Sequence, residues 1–242
     1  MNNRHENEFA HNRRIISKAG QVWGRTGLAG RLRVERRATM IIERARIISG
    51  AKVLEIGCGT GELTARLSST GADIIATDLD ENFLERARGQ IRSSKVEFIA
   101  AAGETLENFG AETFDVACGL SILHHLELGP ALRNIYRVLK PGGRVVFSEP
   151  NMANPQILLQ KNIPFLKRLA GDSPDETAFF RGQIGKILAA AGFKEVRVEP
   201  FDFLHPVVPD FAAIFFDSSG QFLEKVPLLR EIAGSLFISG KK

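Results

Sequence analysis

The stretch that decides the fold is residues 53–62, which read VLEIGCGTGE. A short apolar run leads into glycine at every second position, Gly57, Gly59 and Gly61, and an amphipathic stretch follows. Glycine tolerates positive φ and leaves the backbone bare, so a ligand can lie directly against such a turn. The start of the following helix adds N–H groups without partners at the same place. We therefore predict a ligand-binding turn between a strand and a helix.

Short apolar runs and amphipathic stretches alternate outward from this turn. The predicted strands are 52–56, 73–77, 96–100, 114–118, 144–148, 195–198 and 235–239, and the predicted helices are 62–69, 81–91, 131–139, 156–169 and 183–191. This alternation is typical of a parallel sheet with helices on both faces, and right-handed crossovers make it doubly wound. We predict an α/β fold with a mostly parallel seven-stranded sheet.

The spacing of the glycines limits the ligand. A dinucleotide fingerprint, G-x-G-x-x-G, would place glycine where this chain has Glu62, and a carboxylate there repels a pyrophosphate. Asp78 ends the next predicted strand, 21 positions after Gly57, where an acid accepts hydrogen bonds from ribose hydroxyls. A nucleoside bound without phosphates points to S-adenosylmethionine. In the alternatives, the glycines form only a structural turn and Asp78 only caps the helix that begins near Asp80.

Four segments, in order, make the pattern specific: VLEIGCGTGELT, ATDLDENFLERAR, FDVACGLSILHHL and LRNIYRVLKPGGRVVFSEPN. They resemble the motifs of the class I S-adenosylmethionine-dependent methyltransferases, in the small-molecule (type 11/12-like) branch, over about residues 50–150. The resemblance implies a Rossmann-like methyltransferase fold. It also implies S-adenosylmethionine as the cofactor and S-adenosylhomocysteine as the product. No metal is expected, because the sequence after the fourth strand lacks the several clustered acids that a metal-dependent catechol-type site needs.

The resemblance further implies cofactor-binding roles around the first two strands. The glycine loop would approach the methionine and ribose parts of the cofactor through Gly57, Cys58, Gly59 and Gly61. Glu55 would orient the cofactor's amino group, Asp78 would bind the ribose hydroxyls, and Leu79 would pack on adenine.

Two later segments complete the implied cofactor site. Gly103 and Glu104 follow the third strand, where relatives contact the edge of adenine. Many relatives carry an acid at the position of Ala102, so here either Glu104 or backbone groups make that contact. The methionine moiety and the methyl group would face the residues that end the fourth strand, Gly119, Leu120 and Ser121.

His124 and His125 are the candidate catalytic residues. They follow the fourth strand, at the ligand-binding edge of such a sheet. Methyl transfer is an in-line displacement in which the protein mainly aligns the reactants, and a general base is needed when the acceptor must lose a proton. Adjacent helical residues point about 100° apart, so the two histidines are not expected to coordinate one metal ion together. We predict His125 as the base ahead of His124; alternatively, both are structural.

The variable regions define the expected domain organisation. Residues 1–50 are predicted to form a helical extension or lid, 51–150 the S-adenosylmethionine-binding core, and 151–242 the rest of that domain. Insertions at 151–180 and 201–232 would cap the substrate, and the second is rich in phenylalanine. A phenylalanine-lined cap suits a hydrophobic or aromatic acceptor. The same side chains could instead be the core of the cap helices or the interface of a homodimer.

Composition excludes several classes of protein. The 242 residues include only two cysteines, Cys58 and Cys118, so no disulfide framework or thiolate zinc site is expected. There is no apolar run of the roughly 20 residues that span a bilayer, and the polar N-terminus does not resemble a secretory signal, so we expect a cytoplasmic protein. Residues 1–50 carry seven more basic than acidic side chains. That segment could contact nucleic acid, an anionic membrane or an acidic substrate, or form a solvated helical face.

Together these observations predict a methyltransferase that acts on an O, N or C atom of a small, hydrophobic or aromatic acceptor. The main alternative is a non-catalytic protein that binds S-adenosylmethionine or recruits a partner, since fold alone does not establish catalysis. An RNA methyltransferase is a weaker alternative, and nucleic acid is not the expected partner. Glu62 argues against a nicotinamide-dependent oxidoreductase.

Overall fold

The computed structural model describes Ala10, Asn12 and Arg13 and residues 27–173 and 175–242. Most of the predicted N-terminal lid, upstream of residue 27, lies outside the described residues. The second half of that predicted segment is one helix, α1, at Leu28–Ala45.

One seven-stranded sheet with the order β3-β2-β1-β4-β5-β7-β6 organises the chain. The strands are β1 Lys52–Ile56, β2 Asp73–Asp78, β3 Val96–Ala100, β4 Phe114–Leu120, β5 Leu139–Pro150, β6 Lys194–Phe201 and β7 Ser235–Lys241. β1 pairs in parallel with β2 and β4, β2 with β3, and β4 with β5. The predicted doubly wound, mostly parallel sheet is confirmed.

The last strand, β7, runs against its neighbour β5. The Lys242 N–H donates to the Gly143 carbonyl at 2.9 Å, and the Gly142 N–H donates to the Lys242 carbonyl at 3.2 Å. At the other end, the Asn151 N–H donates to the Gly234 carbonyl at 3.2 Å. The end of β7 therefore lies beside the start of β5, and its beginning beside the end of β5.

Helices connect the strands. After α1 they are α2 Glu62–Ser68, α3 Glu81–Gln90, α4 Leu128–Val138, α5 Pro155–Asn162, α6 Pro164–Leu169, α7 Arg181–Ala190, α8 Asp210–Leu223 and α9 Pro227–Arg230. Of these, α2, α3, α4 and α7 match predicted helices with shifts of a few residues at their ends. A short 3₁₀ turn covers Leu123–His125. α5 begins where the Asn154 side chain accepts hydrogen bonds from the N–H groups of Gln156 and Ile157, as an N-cap should.

Two local predictions were wrong. The single helix predicted over 156–169 is broken at Ile163, which is extended (φ −103°, ψ 111°) because the following Pro164 disfavours helical geometry before it. β5 begins five residues before the predicted Arg144. It passes through Pro141–Gly143 as a bulge, where the register jumps from Phe114↔Leu139 to Val116↔Arg144.

The chain forms two compact units. The first contains the described residues up to Val34, Pro150–Arg181 and Glu199–Leu236; the second contains Glu35–Glu149, Gly182–Val198 and Phe237–Lys242. The predicted division at residues 50 and 150 stays a prediction.

The two units differ in their apolar cores. The second unit buries large apolar side chains of its strands and of α3, among them Leu54, Phe83, Phe114, Phe147 and Phe237. The first unit has a small cluster around Ala29, Leu204 and Ala213, against which Leu28, Leu32 and Val208 pack. Among the described residues, no helix is long and apolar enough to cross a bilayer.

Candidate cofactor site

The glycine loop joins β1 to α2 in the second unit. Gly57, Gly59 and Gly61 have φ values of +68°, +54° and +89°, a region that favours glycine. The Cys58 N–H donates to the Thr77 carbonyl at 2.8 Å, and the Gly61 N–H donates to the Cys58 carbonyl at 3.0 Å. The loop is therefore fixed to the carboxyl end of β2, and the predicted strand–turn–helix is confirmed.

The ends of β1 and β4 approach each other so closely that two positions there require glycine. A Cβ at Gly57 would lie 2.4 Å from the side chain of Ile122, which follows β4. A Cβ at Gly119 would lie 2.7 Å from the Ile56 carbonyl oxygen. Glycine thus lets the ends of β1 and β4 and the segment after β4 pack together.

Gly57→Ala should therefore destabilise the protein more than Gly50→Ala, which is the matched control. Gly50 also has a positive φ, +80°, but a Cβ there meets nothing within 4 Å. We expect Gly50→Ala to cost about 1–2 kcal/mol from φ alone. Gly57→Ala should cost about 1–3 kcal/mol more, because Ile122 must move. Urea unfolding of both variants measures the difference, and equal losses would contradict the packing described for the loop.

Asp78 ends β2 and binds the glycine loop directly. Its Oδ2 accepts from the Gly59 N–H at 2.8 Å, and its Oδ1 accepts from the Asp80 N–H at 3.0 Å. Burial raises the pKa of Asp78, and the N–H groups of Asp80 and Gly59 partly offset that rise. The alternative that Asp78 only caps the next helix is wrong, because the N-cap of α3 is Asp80, which accepts from the Asn82 N–H at 3.0 Å.

Acidic groups surround the loop. Glu55 is 1% exposed on β1, and the Thr77 hydroxyl donates to its carbonyl oxygen at 2.9 Å. At the start of α2, the Thr60 hydroxyl donates to the Glu62 carboxylate at 2.6 Å. These acids disfavour a pyrophosphate at the loop and suit a ligand with a positive charge.

Cys58, inside the loop, is a small buried group and not a reactive thiolate. Burial raises the pKa of its thiol far above the ordinary value, and the charges of Glu55 and Asp78 raise it further. Its Sγ contacts the Gly59 carbonyl at 3.8 Å.

The segment after β3 is tied to the segment after β4. A Glu104 carboxylate oxygen accepts from the Glu127 N–H at 3.3 Å, and its carbonyl oxygen accepts from the Asn134 side chain at 2.7 Å. A Cβ at Gly103 would lie 2.9 Å from Leu126. The contacts of Gly103 and Glu104 with adenine stay predictions, as does the packing of Leu79.

The residues that end β4 reach the same edge as the glycine loop. Gly119 and Leu120 are buried strand residues. Ser121 has a positive φ of +54°, and its N–H donates to the Ser148 carbonyl on β5 at 2.7 Å. A non-glycine residue in this conformation is uncommon and is often found at functional sites.

A buried carboxylate that the sequence analysis did not single out holds the next turn. Oε1 of Glu149, at the end of β5, accepts from the N–H groups of Ile122 and Leu123, both at 2.9 Å. Its Oε2 lies 2.6 Å from Nδ1 of His124, and both side chains are almost fully buried. The available signal was an acid in an otherwise apolar strand end, VVFSEP.

The two candidate histidines therefore have different surroundings. The His124 ring pairs with Glu149 in the core. The His125 ring lies with its centroid 4.2 Å from that of His124 and remains partly exposed. His125 is thus the better placed of the two to meet a ligand, and its role as a base stays a prediction.

These residues fit S-adenosylmethionine by their own geometry. The loop presents bare backbone at three glycines, Asp78 offers beside it a carboxylate of the kind that accepts hydrogen bonds from ribose hydroxyls, and the nearby acids suit a sulfonium and an ammonium group. Fold and site together define a doubly wound α/β protein whose glycine loop and acid have the arrangement of a nucleoside site.

Comparisons with known proteins agree with this assignment of the fold. The family model described as "Methyltransferase domain" matches residues 54–147. The ubiquinone biosynthesis O-methyltransferase of Pseudomonas entomophila (strain L48) is 34% identical over 165 residues, which cover 65% of this chain and 70% of that protein. Phosphoethanolamine N-methyltransferase 1 of Triticum aestivum is 32% identical over 164 residues, covering 65% and 31%. The chain belongs to the class I S-adenosylmethionine-dependent methyltransferase family.

The extent of these matches differs. The chain spans about half the length of the first curated relatives, such as the ubiquinone biosynthesis O-methyltransferase of Aliivibrio fischeri (strain ATCC 700601 / ES114), 32% identical over 118 residues. A possible histamine N-methyltransferase structure from Thermotoga maritima has a TM-score of 0.67 at 19% identity, covering 97% of this chain and 99% of that one. The [4+2]-cyclase SpnF has a TM-score of 0.61 at 19% identity, covering 86% and 80%. Those two structures show the fold alone.

Proposed function

We propose that this protein transfers a methyl group from S-adenosylmethionine to an O, N or C atom of a small acceptor. The observation that carries the proposal is the Asp78 carboxylate bonded to the Gly59 N–H, beside a glycine loop whose following helix begins with Glu62. This arrangement offers an acceptor for ribose hydroxyls and disfavours a diphosphate.

The bound cofactor would supply an electrophilic methyl group on a sulfonium. Gly57, Gly59 and Gly61 would let it lie against backbone, Asp78 would orient its ribose, and Gly119–Ser121 would border its methionine end. The protein's contribution is then mainly alignment, and well-oriented reactions gain roughly 7–11 kcal/mol in this way. Glu149 would serve as a positioning residue, because it fixes the turn that carries both histidines.

His125 would take the proton when the acceptor is a hydroxyl or a protonated amine. It is partly exposed at the edge where β4 ends, whereas the ring of His124 is engaged with Glu149. A positioned base contributes roughly 10²–10⁴-fold to such a rate.

We also propose a hydrophobic or aromatic acceptor. In the first unit, Phe211, Phe215, Phe216 and Phe222 are exposed side chains of α8, Phe211 to 93%. The alternative that the phenylalanine-rich stretch is ordinary core is therefore wrong for these four residues. A ubiquinone biosynthesis O-methyltransferase among the relatives is consistent with an acceptor of this kind. A homodimer interface remains a second proposal for the same surface, and a cytoplasmic location remains a proposal.

Turnover of S-adenosylmethionine with defined acceptors tests the proposed function. We expect S-adenosylhomocysteine to form with an alkyl-substituted catechol faster than with phosphoethanolamine or bulk RNA. His125→Gln should slow the catechol reaction roughly 10²-fold or more, with unchanged affinity for S-adenosylhomocysteine. Binding without turnover on any acceptor would favour the non-catalytic alternative, and turnover only on RNA would favour the RNA methyltransferase.

A further inference from the structure

A basic cleft lies in the second unit, apart from the glycine loop. It has a volume of about 410 Å³ and is lined by the last turns of α1 and by residues of β5, β6 and β7. Its cations come from distant parts of the chain: Arg44, Arg46, Arg144, Arg197 and Lys241. Its acids are Glu43 and Glu195, so the lining carries three more positive than negative charges.

The cleft and the cofactor site lie at opposite ends of the parallel strands. Arg144 faces Val116 in the β4–β5 register, near the start of β4. The glycine loop and Asp78 follow the carboxyl ends of β1 and β2. A ligand in the cleft would therefore not compete with the cofactor for space.

Two of the five cations already have partners. Nζ of Lys241 lies 2.6 Å from the Glu195 carboxylate. The Arg44 guanidinium donates to the Ser239 hydroxyl at 3.3 Å and lies 5.4 Å from the centroid of the Phe237 ring. These two side chains are held in place at the rim of the cleft.

The other three cations of the cleft have no such partners among the described residues. The side chains of Arg46, Arg144 and Arg197 form no hydrogen bond or ion pair with any other described residue. Two of these charges act on Glu195: its pKa is lowered, first by the hydrogen bond from Lys241 and also by the positive charges of Arg144 and Arg197. Three guanidinium groups thus share one concave surface with two carboxylates, Glu43 and Glu195, and form an ion pair with neither of them.

We propose that this cleft binds a small ligand that carries several phosphate groups. Guanidinium groups match phosphate oxygens with paired hydrogen bonds, and arginine is the preferred side chain for this contact. A volume of about 410 Å³ is the size of a small-molecule site. A concave site also favours a compact polyphosphate over the extended backbone of a nucleic acid. The proposal is independent of the proposed methyl transfer.

Calorimetric titration of the full chain with inorganic tripolyphosphate tests the proposal. We expect saturable one-to-one binding in buffer with 0.1 M potassium chloride. The double variant Arg144→Gln/Arg197→Gln should bind roughly tenfold or more weakly, since two charge-assisted contacts are lost.

The matched control is Arg92→Gln/Arg133→Gln, which removes the same charge from exposed positions outside the cleft. It should bind tripolyphosphate like the unmodified protein. Retained affinity for S-adenosylhomocysteine in both double variants shows that they are folded; where that ligand does not bind, matching unfolding curves serve instead. Equal losses in the two double variants, absence of binding to the unmodified protein, or tighter binding of a single-stranded RNA 12-mer than of tripolyphosphate would each overturn the proposal.

Discussion

Asp78→Ala is expected to raise the dissociation constant for S-adenosylhomocysteine roughly 10- to 100-fold, which corresponds to the loss of one or two charge-assisted hydrogen bonds. The carboxylate has two tasks in this account. One oxygen accepts from the Gly59 N–H at 2.8 Å, and the carboxylate is proposed to accept hydrogen bonds from the ribose hydroxyls as well. Alanine removes both the loop contact and the ribose contact.

Two further variants separate these tasks. Asp78→Asn keeps an oxygen for Gly59 but loses the charge, so its affinity should lie between those of the unmodified protein and the alanine variant. Asp73→Asn changes an exposed acid at the other end of the same strand and should leave binding unchanged. Calorimetry gives all three constants. An Asp78→Ala protein with the affinity of the unmodified protein would remove Asp78 from the cofactor site.

Glu149→Ala should be among the most destabilising single changes in the second unit, with a loss of about 3–5 kcal/mol. The substitution leaves the N–H groups of Ile122 and Leu123 without their acceptor and takes away the partner of a buried His124. Water cannot easily replace it, because the Glu149 side chain is fully buried. Urea unfolding at neutral pH measures the loss.

The conservative variant distinguishes hydrogen bonding from packing. Glu149→Gln retains an oxygen for both N–H groups and should lose clearly less stability than Glu149→Ala. Glu97→Ala makes the same change at an exposed strand position and should stay within about 0.5 kcal/mol of the unmodified protein. If Glu149→Ala and Glu97→Ala were equally stable, the buried network around His124 would not be holding the turn.

The sheet could be predicted from sequence because its strands are short apolar runs separated by clear turn signals. β1 and β3 matched their predicted ends. Burial on both faces leaves a continuous apolar run in β1, whereas β3 is a partly exposed edge strand whose ends are marked by the polar residues around it. The helix break at Ile163 was missed although Pro164 marked it, because the apolar pattern continues on both sides.

The glycine loop could also be predicted, since the glycine spacing and the acid that ends β2 are local features. Glu149 could not, because its partners lie 25 to 27 positions earlier in the chain and only the pairing of β4 with β5 brings them together. The basic cleft was missed for the same reason: the N-terminal charge excess was visible, but Arg144 and Arg197 meet Arg44 only in the folded sheet.

Titration of the purified, unmodified protein with S-adenosylmethionine, S-adenosylhomocysteine and NAD tests the central claim most directly. The geometry of the glycine loop, with the Asp78 carboxylate bonded to the Gly59 N–H and Glu62 where a pyrophosphate would need a glycine, predicts binding of the first two ligands and no binding of NAD. Binding of NAD without binding of S-adenosylmethionine or S-adenosylhomocysteine would contradict it.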